Sequence, residues 1–235
     1  MRLARECVEI ETSLGGFYAC HIRPFETDDA AELQTAVLES VGHLGPWLDW
    51  ATPLYSLTNA RDWVVESRTL WARESTYRWL ITDEQSRRIL GSFEIDRPVL
   101  GGGVGRMGYW IRRQALGKGI CTRASRAALG HVFHWGLFEQ VDLYIDPANA
   151  PSLVVAQKRG AYLKGEKADE ISYRGETKLA LHFSVSADNL VSPEKPTRRR
   201  RELNPAKVSV ALATDERESS GSVYEFRRSL KNARL

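Results

Sequence analysis

The chain predicts an α/β or α+β fold built on a mixed sheet. Three observations carry that reading. The first is a run of strand-like segments, TYRWLITD, RRILGSFEID and VGRMGYWIR, separated by turn residues. The second is a set of helix-periodic segments on both sides of that run. The third is the alternation behind it: QVDLYID, then APSLVVAQKRG, then AYLKGE and ETKLALHFSV.

Taken in order, VEIETSLGGFYACHIRPF reads as a hairpin around Leu14-Gly15-Gly16. Thr27-Asp28-Asp29 is placed to cap a helix through AAELQTAVLES, with its acids at the positive helix end. VGHLGPWLDWATP holds Gly, Pro and two Trp, and reads as a packed loop or a broken helix. A longer helix is expected from Thr58-Asn59 through ARDWVVESRTLWARE, with Trp63, Leu70 and Trp71 near one face. The three strands follow as an antiparallel meander, with a loop from Pro98 to Gly103. A helix then starts near Lys118 and ends around Gly136, and the strand–helix–strand–strand series completes the body.

Residues 187–235 differ in composition. SPEKPTRRRREL is rich in proline and arginine and reads as a linker, with Arg198 to Arg201 a solvated charge run. KVSVALAT has the pattern of a strand and VYEFRRSLKNARL that of a short amphipathic helix. Two divisions are therefore expected: a body over residues 1–186, and a basic linker with a C-terminal extension over 187–235.

Charge follows the same division. Residues 187–235 carry 11 of the 33 Lys/Arg and 7 of the 30 Asp/Glu, which leaves the body 22 basic and 23 acidic residues. A near-neutral body argues against nucleic-acid binding by that part of the chain. No run of 18 apolar residues suggests a membrane span, and MRLARECVEIETS lacks the apolar stretch of a signal peptide. Three cysteines, Cys7, Cys20 and Cys121, form neither a Cys-x-x-Cys nor an even disulfide set. A reducing, cytoplasmic setting is expected, with no zinc cluster.

Two glycine motifs fail on context. GVGRMG matches G-x-G-x-x-G, but it leads into a strand rather than opening a helix, so a hairpin loop is the better account. Gly117-Lys118 resembles the end of a nucleotide-hydrolase phosphate loop. The first glycine of that motif is Arg112 here, and the magnesium-binding hydroxyl position is Gly119.

What remains is Gln114-x-x-Gly117-x-Gly119 between a strand and a helix. Glycines permit close backbone approach and unusual dihedrals. The first N–H groups of the following helix have no internal partner, and the helix dipole adds positive potential. Such a turn suits a pyrophosphate, with Lys118, Arg112, Arg113 and Arg123 adding charge. An ordinary structural turn with exposed basic residues accounts for the residues equally well.

The wider context adds a resemblance. MGYWIRRQALGKGICTRA resembles the acetyl-coenzyme A motif Q/R-x-x-G-x-G/A of the GNAT acetyltransferase superfamily. GYW on the preceding strand, WLDW near residue 50 and ANAPSLVVAQKRGAYLKG resemble the branch that acetylates the N-termini of ribosomal proteins. The likeness spans about residues 8–186.

It implies a mostly antiparallel central sheet with helices on both faces, and a cofactor that is acetyl-coenzyme A with no metal. Backbone amides of Leu116, Gly117, Lys118, Gly119 and Ile120, with Thr122 beside them, would hold the pyrophosphate. The backbone of Tyr109, Trp110 and Ile111 would pair with the pantetheine arm where two strands splay. Asn149 would orient that arm, and Ser152 would protonate the leaving thiolate. The acceptor would be a primary amine: a protein N-terminus, foremost of a ribosomal protein, or else a polyamine or antibiotic-like compound. A non-catalytic coenzyme A-binding module is the alternative of another class. A homodimer is left open.

This sequence departs from the family pattern in three places. Arg106 stands where Glu is common before G-Y-W, Gly160-Ala161 replaces the usual G-F, and Arg123 takes a commonly acidic position. The general base is therefore sought elsewhere, among Glu94, Asp96, Asp49 and Glu170. Trp47, Trp50, Trp63 and Trp71 are expected to build core and groove walls. His43 reads first as a surface or loop residue, with lining of the acceptor site as the alternative, and Cys121 reads as a packing residue.

Overall fold

The computed structural model describes residues 6–11, 17–98 and 103–190. Eight strands form one sheet in the order β1-β2-β3-β4-β5-β6-β8-β7. They are β1 (Glu6–Glu11), β2 (Phe17–Pro24), β3 (Thr76–Asp83), β4 (Ile89–Asp96), β5 (Val104–Ile111), β6 (Gln140–Ile145), β7 (Tyr162–Tyr173) and β8 (Glu176–Ser186). Every neighbouring pair is antiparallel except β5–β6. The hairpin expected at the start is present as β1 and β2, while its Leu14-Gly15-Gly16 turn lies outside the described residues. Part of the Pro98–Gly103 loop lies outside them too, as do the strand and helix expected beyond residue 190.

The helices are α1 (Ala30–Leu38), α2 (Val41–Leu44), α3 (Leu57–Ala72), α4 (Ile120–His134) and α5 (Ala150–Arg159). Thr27–Asp29 is a 3-10 turn ahead of α1 rather than a direct cap. Asp29 turns to Arg23, which grips its two carboxylate oxygens at 2.8 and 2.6 Å, and to the Glu26 N–H at 2.6 Å. The start of α3 lies a residue earlier than Thr58, because Ser56 and Asn59 form a reciprocal capping box. Helix α4 starts at Ile120, after Gly119, whose φ of +72° is left-handed and cannot belong to the helix.

Strand alternation sorts the core into two clusters, one per face. Tyr77, Trp79 and Ile81 of β3 join Phe93, Ile95, Met107 and Ile111 beneath α4 and α5. Leu80, Ile89 and Trp110 face the other way and pack with α1 and α3. Trp63 and Trp71 do not share a face: Trp63 packs on the α1/α3 cluster and Trp71 on the other. The helices thus cover both sides of the sheet.

GVGRMG belongs to β5 and the turn before it. Gly105 is needed for packing, since a Cβ there would stand 2.7 Å from Ile95 and 3.0 Å from Phe138.

Candidate active site

The parallel pair is short. β5 and β6 are in register only at Val104–Gln140, Gly105–Val141 and Arg106–Asp142, although β5 continues to Ile111 and β6 to Ile145. Beyond Arg106 the two strands part. Arg112 N–H bonds Leu90 O at 2.7 Å, on the β4 side. Strand alternation then turns the N–H and C=O of Ile111 and Tyr109 away from β4, into the opening, and those of Trp110 toward β4. Of the three residues expected to pair with the arm, two present backbone edges to the opening. The third, Trp110, is buried with its ring against the α1/α3 cluster.

The turn after β5 ends at the head of α4. Gly117 and Gly119 have φ of +74° and +72°, and a Cβ on either would meet nothing within 4 Å. Space therefore stands open above both. No side chain caps α4, so the amides of Ile120, Cys121 and Thr122 face outward without an internal partner. An uncapped helix head with open space above it suits an anion such as a pyrophosphate. Leu116 contributes less than expected, because its N–H bonds Arg113 O at 3.3 Å.

Arg112 is not a helper there. It is 1% exposed and points under the sheet, bonding Glu32 at 2.6 Å, Glu39 at 2.8 Å and Ile89 O at 3.0 Å. Cys121 is buried, which pushes its thiol up to about 11 and keeps it a neutral packing group. Lys118 and Arg113 are exposed, and Arg123 is half-buried.

Helix α5 brings Asn149 and Ser152 to the opening from the β6 side. Asn149 is the N-cap of α5, and its side-chain oxygen accepts the Ser152 N–H at 3.2 Å. Its amide nitrogen is what remains for a ligand. Tyr109 reaches across to donate its hydroxyl to Ser152 O at 3.1 Å, and burial pushes that phenol up to about 12. Arg159, fully buried, lies 4.9 Å over the Tyr109 ring and donates to Met107 Sδ at 2.9 Å.

On the other face, the four candidate carboxylates separate. Glu170 is engaged by Arg106 and Lys167 at 3.5 and 3.8 Å, and its carbonyl by Arg106 at 3.0 Å. Asp49 lies in the turns after α2, partly exposed. Asp96 is raised by burial, with a hydrogen bond from Thr76 opposing.

Glu94 is buried opposite Gly108 on β5. A Cβ on Gly108 would stand 3.4 Å from Glu94 Oε1, so the missing side chain leaves room on that side of the buried oxygen. Its other oxygen takes Arg78 Nε at 2.7 Å. Arg78 also bonds Glu66 at 2.8 Å and stacks 3.8 Å from the centre of the Trp63 ring. Burial and nearby Asp96 raise Glu94 to about 7, against the lowering pull of Arg78.

Sequence reasoning missed Arg78, the Tyr109 hydroxyl and the contact of His43 Nε2 with Ile111 O at 2.8 Å. None has a local signal, since each depends on residues 16 to 68 positions apart.

A sheet parted in this way, with a glycine turn and a helix head beside the gap, is compatible with an N-acyltransferase. The chain belongs to the GNAT acetyltransferase family, whose domain profile matches residues 20–161. Members are acetyl-coenzyme A-dependent acetyltransferases. Among relatives, the Bacillus subtilis protein named "Putative ribosomal N-acetyltransferase YdaF" is 24% identical over 172 residues, 70% of this chain and 89% of the relative. Mycobacterium smegmatis RimJ, solved with a coenzyme A disulfide, aligns at TM-score 0.69 and 21% identity over 80% of this chain and 89% of that one. RimL, a ribosomal L7/L12 α-N-protein acetyltransferase solved with coenzyme A, aligns at TM-score 0.67 and 19% identity over 78% and 99%. These solved structures share the fold.

Proposed function

We propose that this chain acetylates a primary amine at the N-terminus of a protein, of the ribosomal-protein kind, using acetyl-coenzyme A in the cytoplasm. The observation that carries the reading is Glu94: a buried carboxylate raised to about 7, beside Gly108, two residues past the last β5–β6 pair. The relatives' names support the acceptor class.

Acetyl-coenzyme A supplies an acetyl thioester. The amides of Gly117, Gly119 and Ile120 hold its pyrophosphate, with Lys118 nearby. The backbone of Tyr109 and Ile111 pairs with the pantetheine arm, and a gap-facing N–H polarises the thioester carbonyl. Asn149 orients the arm through its amide nitrogen. An ammonium acceptor must first lose a proton, which Glu94 takes on Oε1. Ser152 returns a proton to the departing sulfur from its hydroxyl at the head of α5.

The test is thiol release over a panel of N-terminal peptides and polyamines. Peptide turnover that depends on Ser152 and Asn149 is the expected result. Cofactor binding without thiol release from any amine would make the chain a binding module instead.

A further inference from the structure

Among the described residues, two buried polar atoms on the segment joining α1 to α3 have no hydrogen-bond partner: Nδ1 of His43 and Nε1 of Trp50. A buried donor or acceptor left unsatisfied carries its full desolvation penalty, so a ligand that satisfies it binds with an advantage.

The two atoms are of opposite kind. His43 Nε2 lies 2.8 Å from the carbonyl oxygen of Ile111, which can only accept. In the neutral imidazole, Nε2 therefore carries the hydrogen and Nδ1 is a bare acceptor. An indole N–H is only a donor.

Both rings are held in place. Trp50 stacks on Trp63 at 6.0 Å and 28°, meets Trp110 edge-on at 6.3 Å, and touches Tyr55 at 5.9 Å. The segment around His43 is pinned at both ends: Ser40 Oγ accepts the Arg113 N–H at 3.1 Å, and Tyr173 donates its hydroxyl to Gly45 O at 2.6 Å. One donor and one acceptor thus flank Trp110 and Ile111, the end of the strand that borders the opening.

A protonated polyamine offers only donors. The first peptide unit of a protein N-terminus offers a carbonyl acceptor and, one bond further, an amide donor. We propose that Trp50 and His43 are specificity-determining residues that read this unit: Trp50 Nε1–H donates to the first carbonyl of the acceptor, and His43 Nδ1 accepts from the next amide N–H. The pair reads backbone and is indifferent to the first side chain. The inference rests on the amine-acetylation reading and narrows its substrate to peptides.

The test compares an alanyl-alanine amide with an alkylamine of equal length that lacks the carbonyl. Trp50→Phe keeps an aromatic ring against Trp63 and Trp110, removes the N–H and trims the ring, so the alkylamine serves as the control for lost packing. The dipeptide-to-alkylamine ratio of kcat/KM should fall by about three- to tenfold, in KM rather than kcat. A dipeptide N-methylated at the nitrogen of its second residue should lose a similar factor and be insensitive to His43→Ala. An unchanged ratio, or a wild type that prefers the alkylamine, overturns the proposal. If no amine releases thiol, the acetylation reading has failed. Calorimetry of the dipeptide on the coenzyme A-loaded protein then decides the binding claim alone, and equal affinity for wild type and Trp50→Phe refutes it.

Discussion

Glu94 is a buried carboxyl held between two opposing influences. Burial and Asp96 favour its neutral form, and Arg78 favours its charge. The first two win, and the carboxyl titrates at about 7. As a base it acts when deprotonated, so kcat/KM should rise with pH through that value and level off above it. Glu94→Gln should lower kcat by about a hundredfold and remove that limb of the pH–rate profile. Stability runs the other way. A carboxyl raised from 4.5 to about 7 on folding binds more protons in the folded chain, so its contribution is full below pH 4.5 and is lost as pH rises through 7. Melting curves at pH 5 and pH 8 should therefore differ less in Glu94→Gln than in the wild type. Sequence reasoning reached Glu94 as one of four carboxylates and could not rank them. The ranking comes from what lies across the sheet: Gly108 leaves room beside Glu94, whereas Arg106 occupies Glu170. Cross-strand neighbours are set by register, which a single sequence does not state.

At the scale of elements, the β5–α4 junction was legible because its code is local. Gly117 and Gly119 are spaced for two left-handed residues, and the structure has both. Gly117→Val with Gly119→Val should cost about 1–2 kcal/mol of stability per residue from the backbone. It should also weaken coenzyme A binding by at least about tenfold, since the new side chains fill the space above the amides. Calorimetry and urea melts read the two effects separately. Arg112, two residues before Gln114, looked like part of the same seat and is not. It leaves β5 on the opposite side and anchors α1 through Glu32 within the helix and Glu39 at its C-cap, 80 and 73 residues earlier. Such a partnership has no local signature. Replacing both carboxylates with Gln would leave a buried guanidinium without a counter-charge, and about 3 kcal/mol of stability should go with it. Urea unfolding of Glu32→Gln/Glu39→Gln checks this, and retention of wild-type stability would show that the charge is satisfied by other means.

For the whole molecule, composition marks a change near residue 187, where the charge turns basic and prolines appear. Among the described residues, the packing carries the body at least to Leu190. Ser186 and Asn189 form a reciprocal capping box that closes the chain after β8. Leu190 packs on the α4/α5 core, with a methyl 4.0 Å from where a Cβ on Gly130 would stand. A composition shift follows charge and proline, whereas a fold boundary follows the last apolar contact, and the two need not coincide. We therefore place the boundary after Leu190, which the two ways of cutting the chain can distinguish. Removing 191–235 takes away 11 basic and 6 acidic residues and should shift Tm by no more than about 2 °C. Removing 187–235 also strips the capping box and the Leu190 side chain from the core. It should cost about 1–2 kcal/mol more, seen as a further drop of a few degrees in the same melt. Equal melting temperatures for the two truncations would put the boundary back at 187, where charge alone had drawn it.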